Sequence, residues 1–125
     1  LGDALLAVYG CFLDQLRPLL PRIHAIAHIT GGGIPGNLSR IFEDDLGAVV
    51  DPASWEVPAL FELIRRSGNV AVGEMWRAFN MGAGLIVAVD AADAGGMIAG
   101  LPGAWRIGEV VPRGADDAAV RGLDE

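Results

Sequence analysis

The feature that most restricts the fold of this chain is a predicted strand that ends in three consecutive glycines. Residues 23–30 alternate between two faces, and the apolar face carries Ile23, Ala25, Ala27 and Ile29. Period-two alternation with β-branched residues predicts a β-strand. Gly31, Gly32 and Gly33 follow directly, and side-chain packing does not explain them because none has a side chain. Such residues permit positive φ angles and let another group approach the backbone closely.

A short helix is predicted after this loop, at residues 37–42, with Asn37 as its N-cap. In a strand–loop–helix arrangement of this kind, the loop amides and the first amides of the helix can point at one anion. We therefore expect an anion-binding site at the glycine loop. The alternative is a tight turn that binds no ligand.

Composition and charge narrow the classes of function. The chain has 125 residues, 52% of them hydrophobic and 20% charged, and we expect residues 1–125 to form one domain. Its formal net charge is −7, and its nine basic residues are all scattered arginines, which argues against nucleic-acid binding. No apolar run approaches the ~20 residues of a membrane helix, no signal peptide is apparent, and Cys11 is the only cysteine. These features predict a cytoplasmic protein without a membrane partner.

The remaining patterns alternate between helices and strands. Apolar residues spaced three and four apart predict one helix in residues 1–20, closed by two prolines. The clearest helix is predicted at residues 58–67, with proline in its first turn and glycine after its end. We expect further strands at 47–51, 85–89, 104–111 and 118–123, and further helices at 73–80 and 91–101. This order predicts an α/β or α+β structure with one sheet, in which residues 85–89 form a buried central strand.

The glycine loop also satisfies the spacing of a dinucleotide fingerprint. Residues 31–36 fit G-x-G-x-x-G, and Asp51 lies at a strand end 20 residues after the first glycine. That fingerprint needs a long helix that begins inside the loop. Here Pro35 interrupts the pattern, and an acidic turn at residues 43–45 ends any helix early. We therefore reject a nicotinamide or flavin site.

Two histidines and two other polar residues are candidates for function. His24 and His28 are four residues apart, but on a strand this spacing is too long for a shared zinc ion, and no third ligand is evident. His28, beside the glycine loop, is the better functional candidate, with a hydrogen-bonded histidine at a strand end as the alternative. Arg77 and Asn80 flank a short turn and are candidates for holding a ligand; the alternatives are a surface charge and a cap.

As a set, the motifs resemble one protein family. The matching segments occur in the family's order and are His28-Ile29-Thr30-Gly31-Gly32-Gly33, Asn37, Val49-Val50-Asp51, Ser54-Trp55-Glu56, Gly68-Asn69-Val70, Glu74-Met75-Trp76-Arg77-Ala78-Phe79-Asn80-Met81-Gly82 and Ala104-Trp105-Arg106-Ile107-Gly108. Over most of the chain they are similar to the C-terminal domain of phosphoribosylformylglycinamidine cyclo-ligase, also called aminoimidazole ribonucleotide synthetase. Residues 8–12 and the C-terminal end depart from the family's pattern.

The resemblance implies a three-layer α/β/α fold around a mixed sheet, as one half of a two-domain enzyme of purine biosynthesis. In that family, ATP activates the formyl amide oxygen of formylglycinamidine ribonucleotide. A nitrogen then attacks the activated carbon, and aminoimidazole ribonucleotide, ADP and phosphate are released. ATP and Mg²⁺ are implied as cofactors of the full enzyme, bound mainly by the missing N-terminal half, with none expected in this fragment. The implied partners are that N-terminal domain, the ribonucleotide substrate and a second copy in a homodimer.

The resemblance also assigns roles residue by residue, because the family's glycine loop and its preceding histidine face the cleft between the two domains. His28 is then the catalytic candidate, and the residues that contact the substrate and its phosphate are Thr30, Gly31, Gly32, Gly33 and Asn37. Arg77 and Asn80 remain further candidates, and no metal ligand is implied. The alternative hypothesis is a free-standing nucleotide- or phosphate-binding module of the same superfold without catalysis, since a fold does not fix a function. A third is a dimerisation domain with an empty loop.

Overall fold

Two small sheets and six α-helices make up the computed structural model of this chain, which describes residues 2–8 and 10–123. The helices are α1 (Gly2–Leu5), α2 (Leu13–Leu16), α3 (Gly33–Leu38), α4 (Ala59–Gly68), α5 (Val72–Ala78) and α6 (Ala91–Gly100). The strands are β1 (Ile23–His28), β2 (Leu46–Val50), β3 (Leu85–Val89), β4 (Gly108–Pro112) and β5 (Val120–Arg121). Short 3-10 helices cover Arg17–Arg22, Ser39–Ile41 and Pro52–Ser54. The predicted class of mixed α and β structure is confirmed.

The strands pair in two sheets, whereas the sequence predicted one. β1 and β3 form an antiparallel pair in which His28 lies opposite Leu85. In the second sheet, β2 lies between β4, which is antiparallel to it, and β5, which is parallel to it. Among the described residues, β3 therefore has one strand neighbour, and the prediction of a central strand is wrong. Ile86 is the one buried residue of β3, and an apolar run does not specify which strands pair.

The alternation of β1 is confirmed by the burial of its residues. Ala27 is 3% exposed and Ile29, just after the strand, is 1% exposed, whereas Ile26 on the opposite face is 40% exposed. The buried face joins one apolar core to which both sheets contribute. The members of that core are Ala27, Ile29, Ile34, Leu38, Ala48, Val50, Met75, Trp76, Met81, Ala83, Ile86 and Leu123.

The first segment differs from its prediction. In place of one helix there are two single-turn helices, α1 and α2, and the 3-10 helix Arg17–Arg22. None of the described residues in these three elements is buried, and Leu5 is 60% exposed. Gly10 separates the two turns, and the prolines remove backbone donors that a continuous helix would need. Leu1 and Tyr9, which fall within the same prediction, lie outside the described residues.

The pair of helices α4 and α5 brings aromatic side chains toward the glycine loop. α4 ends in Asn69, whose left-handed conformation (φ 48°) caps it. Phe61 of α4 packs against the core, whereas Leu63 of the same helix is 49% exposed. α5 places Met75 and Trp76 in the core. These two helices therefore lie next to the glycine loop.

The C-terminal part follows its predicted order with shorter strands. The strand predicted at residues 104–111 begins only at Gly108, because its pairing with β2 starts there. Trp105 precedes that strand and lies near Trp55, with ring centroids 6.0 Å apart. Two residues of the edge strand predicted at 118–123 form β5. In the described part of the chain, no helix has both the length and the apolar character needed to cross a membrane.

Candidate functional site

The glycine loop connects β1 to α3, and α3 begins inside the loop. Gly32 precedes the helix with φ 101°, and Gly33 is its first residue with φ 61°. The amide of Gly33 donates to the carbonyl oxygen of Thr30 at 3.0 Å and closes the turn. The helix predicted at residues 37–42 thus starts earlier, and Pro35 lies in its first turn, where the missing N–H costs no helical hydrogen bond. At six residues, α3 remains too short for the dinucleotide fingerprint.

The three glycines serve different physical purposes. A Cβ on Gly33 would lie 1.8 Å from the carbonyl oxygen of Trp76, so here the group that approaches the loop closely is the protein's own backbone in α5. Gly32 needs its left-handed φ of 101°. A Cβ on Gly31 would meet nothing within 4 Å. Packing between helix backbones therefore does explain one glycine of the run, which the sequence argument had excluded.

Asn37 lies inside α3, and its side chain is hydrogen-bonded to the backbone of the glycine loop. It is 6% exposed, and its Nδ2 donates to the carbonyl oxygens of Gly33 at 2.8 Å, Thr30 at 3.3 Å and Gly31 at 3.3 Å. The predicted N-cap role of Asn37 is wrong, since Gly32 occupies that position. The nitrogen of its side chain is engaged by the loop itself.

The amides of Gly31 and Gly32 are the donors that the loop offers to a ligand. Both residues are exposed. Within residues 2–8 and 10–123, neither amide donates a hydrogen bond to another protein group. The amide of Gly33, in contrast, is bound to Thr30 inside the domain. The loop therefore presents two backbone donors to its surroundings.

An open hollow of about 340 Å³ lies beside Gly31, whereas Gly32 is not among the residues that line it. Its lining comes from the end of β1 and the loop, from α4, and from the end of α5: His28, Ile29, Thr30, Gly31, Phe61, Ala78, Phe79 and Asn80. The rings of Phe61 and Phe79 have centroids 5.6 Å apart at 54° and make one wall apolar. The structure thus gathers His28, Thr30, Gly31 and Asn80, which the sequence had singled out separately.

The two histidines of β1 have different surroundings. His28 lines the hollow at the strand end, where the amide of Ile29 donates to the carbonyl oxygen of Gly84 at 3.0 Å and fixes the backbone. The Nε2 atom of His24 lies 3.1 Å from the carboxylate of Asp90, at the other end of the strand. Of the two histidines, His28 is therefore the one that borders the hollow.

The two candidates near α5 also separate. Asn80 lines the hollow, and its Oδ1 accepts a hydrogen bond from the amide of Gly82 at 3.0 Å. The left-handed residues of this turn are Met81 and Gly82. Arg77 points elsewhere: its guanidinium lies 2.9 Å from the carboxylate of Glu74, and its side chain is 74% exposed. Arg77 is not among the residues that line the hollow.

A second open hollow, of about 490 Å³, lies at the acidic turn formed by Glu43, Asp44 and Asp45. Three carboxylates repel an anion, so this hollow is not the predicted anion site. Arg113 donates to the main-chain oxygens of Asp44 at 3.1 Å and Glu43 at 3.3 Å and holds the turn in place. Nowhere in the described ranges do three His, Cys, Asp or Glu side chains come together in a way that would hold a metal ion.

Sequence reasoning missed the two phenylalanines of the hollow. Phe61 falls within the helix predicted at residues 58–67, and Phe79 within the helix predicted at residues 73–80. They meet at the hollow because α4 packs against α5, which no local pattern specifies. The only signal in the sequence was that Phe79 directly precedes Asn80, a residue already under consideration.

Comparison with known proteins gives one consistent result. Residues 11–121 match the family model described as AIR synthase related protein, C-terminal domain. The chain is 40% identical over 126 residues to the phosphoribosylformylglycinamidine cyclo-ligase of Nitrosococcus oceani, covering 96% of this chain and 35% of that protein. It is 39% identical over 123 residues to proteins of the same name from two strains of Xanthomonas oryzae pv. oryzae, covering 92% of this chain and 36% of each relative. The chain therefore spans about a third of the length of these relatives.

Proposed function

Because the chain belongs to the family of AIR synthase related proteins, as their C-terminal domain, we propose that it forms the substrate-binding half of an ATP-dependent cyclo-ligase of purine biosynthesis. The proposed reaction converts formylglycinamidine ribonucleotide to aminoimidazole ribonucleotide. The formyl oxygen takes the γ-phosphoryl group of ATP, an amidine nitrogen attacks the formyl carbon, and the oxygen leaves as inorganic phosphate with ADP as the other product.

The observation that carries this proposal is a pair of adjacent exposed glycine amides, of which Gly31 borders a partly apolar hollow. The amides of Gly31 and Gly32 suit the 5′-phosphate of a ribonucleotide, because unpaired loop amides form concave sites for anions. The wall made by Phe61 and Phe79 suits the less polar remainder of the substrate. A binding site of this kind has no need of a positive overall charge, which agrees with the net charge of −7.

We assign His28 the role of proton acceptor for the attacking nitrogen. Ring closure requires that nitrogen to lose a proton, and an imidazole is a suitable base near neutral pH. His28 lines the same hollow as Gly31. Asn80, whose side-chain oxygen accepts a hydrogen bond from the amide of Gly82, contributes a further polar group to the lining of the hollow.

ATP and Mg²⁺ are co-reactants of the proposed reaction, and we assign their binding to the part of the longer protein that this chain does not contain. The described residues offer no cluster of carboxylates arranged for a cation. The apolar wall and the two amides likewise fit one phosphate group better than a triphosphate with its metal. A second copy in a homodimer is a further proposed partner. Catalysis then requires both halves, and the chain alone has negligible turnover.

The test is a charge placed at Gly31 in the full-length ligase. A side chain at this position meets nothing within 4 Å, so Gly31→Asp and Gly31→Asn both fit. A carboxylate about 4 Å from the phosphate raises the free energy of the bound state by roughly 1–4 kcal/mol, depending on solvent exposure. The KM for the ribonucleotide should therefore rise about tenfold or more in Gly31→Asp.

Gly31→Asn is the matched control because it has the same shape without the charge, and its KM should stay within about threefold of wild type. Equal KM values for the two variants would contradict the proposal that the phosphate binds at this loop. Gly32 is a poorer position for the charge, because it needs its φ of 101° and its Cβ would point toward the Nδ2 of Asn37, 3.6 Å away.

A free-standing binding module is the second candidate, because the exposed amide of Gly31 borders the hollow and a fold does not fix a function. It predicts that the protein binds ribose 5-phosphate by calorimetry and shows no ring-closing activity even at full length. Turnover by the full-length protein, combined with negligible turnover by the chain alone, would exclude it. An absence of any phosphate or nucleotide binding at full length would leave the dimerisation hypothesis.

A further inference from the structure

Asn37 is the one buried polar residue in the core of the described structure, and its contacts are unusual. A single side-chain nitrogen donates toward three backbone carbonyls of the glycine loop, those of Thr30, Gly31 and Gly33. The nitrogen has two hydrogens, so at least one of them is shared between two acceptors. This identifies the side-chain orientation, since the opposite one would set an amide oxygen against three carbonyl oxygens.

The direction of the loop amides follows from these contacts. A trans peptide is planar, and its C=O and N–H point in opposite directions. The described residues contain no cis peptide bond. The peptide that carries the Thr30 carbonyl also carries the amide of Gly31, and the peptide of the Gly31 carbonyl carries the amide of Gly32. When Asn37 draws these two carbonyls inward, both amides must face outward, on the side where Gly31 borders the hollow.

We propose that Asn37 is a positioning residue that aims the amides of Gly31 and Gly32 at the ligand without touching the ligand itself. This inference rests on the proposed function of the loop and changes the role of Asn37, which the family resemblance had placed among the substrate contacts. Without Asn37, the Thr30 carbonyl keeps its hydrogen bond from the amide of Gly33, whereas the carbonyl of Gly31 loses its donor. The peptide between Gly31 and Gly32 can then rotate, because it joins two glycines.

The chemistry of the side chain restricts its replacements. Asp has nearly the same shape but presents only acceptors when ionised, so it repels the three carbonyl oxygens that Asn37 holds. Ala removes the donor and leaves those carbonyls without this partner. Ser39 provides a control in the adjacent turn, because its hydroxyl donates to the carbonyl oxygen of Gly36 at 3.3 Å and not to the carbonyls that Asn37 holds.

The experiment compares Asn37→Asp, Asn37→Ala and Ser39→Ala in the full-length ligase. Amide resonances of Gly31 and Gly32 are followed by ¹⁵N NMR with selective glycine labelling, and KM and kcat for the ribonucleotide are measured in parallel. Both Asn37 variants should displace or broaden these two resonances and raise KM at least tenfold. Their kcat should stay within about threefold of wild type, because His28 is untouched. Ser39→Ala should leave the resonances and the KM as in wild type.

A folded Asn37 variant with unchanged Gly31 and Gly32 resonances would overturn the inference. So would a fall in kcat at constant KM, which would indicate a direct part in the chemistry. If Asn37→Asp does not fold, Asn37→Ala provides the same comparison at lower cost to the core. The proposed function fails separately: inorganic phosphate or ribose 5-phosphate would then leave the wild-type Gly31 and Gly32 resonances unmoved, whatever Asn37 does to them.

Discussion

The close approach of the loop to α5 makes Gly33 the position where a single methyl group should do most damage. A Cβ there would lie 1.8 Å from the carbonyl oxygen of Trp76 and 3.0 Å from that of Phe79, and contacts under 3.0 Å are essentially never observed. Because the obstacles are backbone atoms, no side chain can rotate to make room. The loop and α5 would have to separate by about 1 Å.

The cost of Gly33→Ala has two parts. The left-handed conformation of Gly33, with φ 61°, costs a residue with a Cβ roughly 1 kcal/mol. Forcing the packed backbones apart costs about 1–3 kcal/mol more. We therefore expect the free energy of unfolding to fall by about 2–4 kcal/mol, a large fraction of the ~5–15 kcal/mol typical of domains. Urea denaturation followed by tryptophan fluorescence measures this, because Trp76 lies at the contact.

Gly36→Ala is the matched control in the same helix. A Cβ at Gly36 meets nothing within 4 Å, and alanine is favoured over glycine in a helix by about 0.5–1 kcal/mol, so this variant should be as stable as wild type or slightly more stable. If Gly33→Ala were as stable as Gly36→Ala, the argument from close backbone approach would be refuted.

Two further predictions concern contacts outside the loop. Trp55→Phe removes the indole donor that binds the carbonyl oxygen of Met81 at 2.9 Å, in the left-handed turn. Urea denaturation should show a free energy of unfolding that is lower by about 1–2 kcal/mol. Trp105→Phe is the control, because that ring is partly exposed and its replacement should change the free energy of unfolding little. Hydrogen bonds from Arg65 and Arg66 lower the pKa of Glu62 from 4.5 to about 2. The ionised carboxylate therefore stabilises the folded state above pH 4.5, and this stabilisation is lost as the pH falls toward 2. Glu62→Gln should therefore be less stable than wild type at pH 7, and the difference should shrink between pH 4.5 and 2; a difference independent of pH would contradict the assignment.

The sequence predicted those elements whose signals are local. The alternation in residues 23–30 identified both β1 and its buried face, and the apolar spacing of residues 58–67 identified α4. The first segment failed because its leucines have helical spacing but no core to pack on, and Leu6 is 82% exposed. Pro35 misled the prediction of α3, since proline was treated as a break although it is tolerated in a first turn.

The residues of the candidate site also differ in whether a local sequence signal identifies them. His28 and Gly31 were candidates from their own neighbourhood at the end of the strand, and Thr30 between them was a candidate from the family resemblance. Phe61 and Phe79 come from helices that meet only after packing. The role of Asn37 was also out of reach, because a buried asparagine that reaches back to the preceding loop has the same local signature as a helix cap.

The most direct test of the central claim is the structure of the full-length protein with the proposed substrate, formylglycinamidine ribonucleotide, bound. Our account predicts a phosphate oxygen within about 2.7–3.2 Å of the backbone nitrogens of both Gly31 and Gly32, with the body of the substrate between His28 and the ring of Phe79. A phosphate bound away from the loop, with those two nitrogens facing solvent or another protein group, would contradict it.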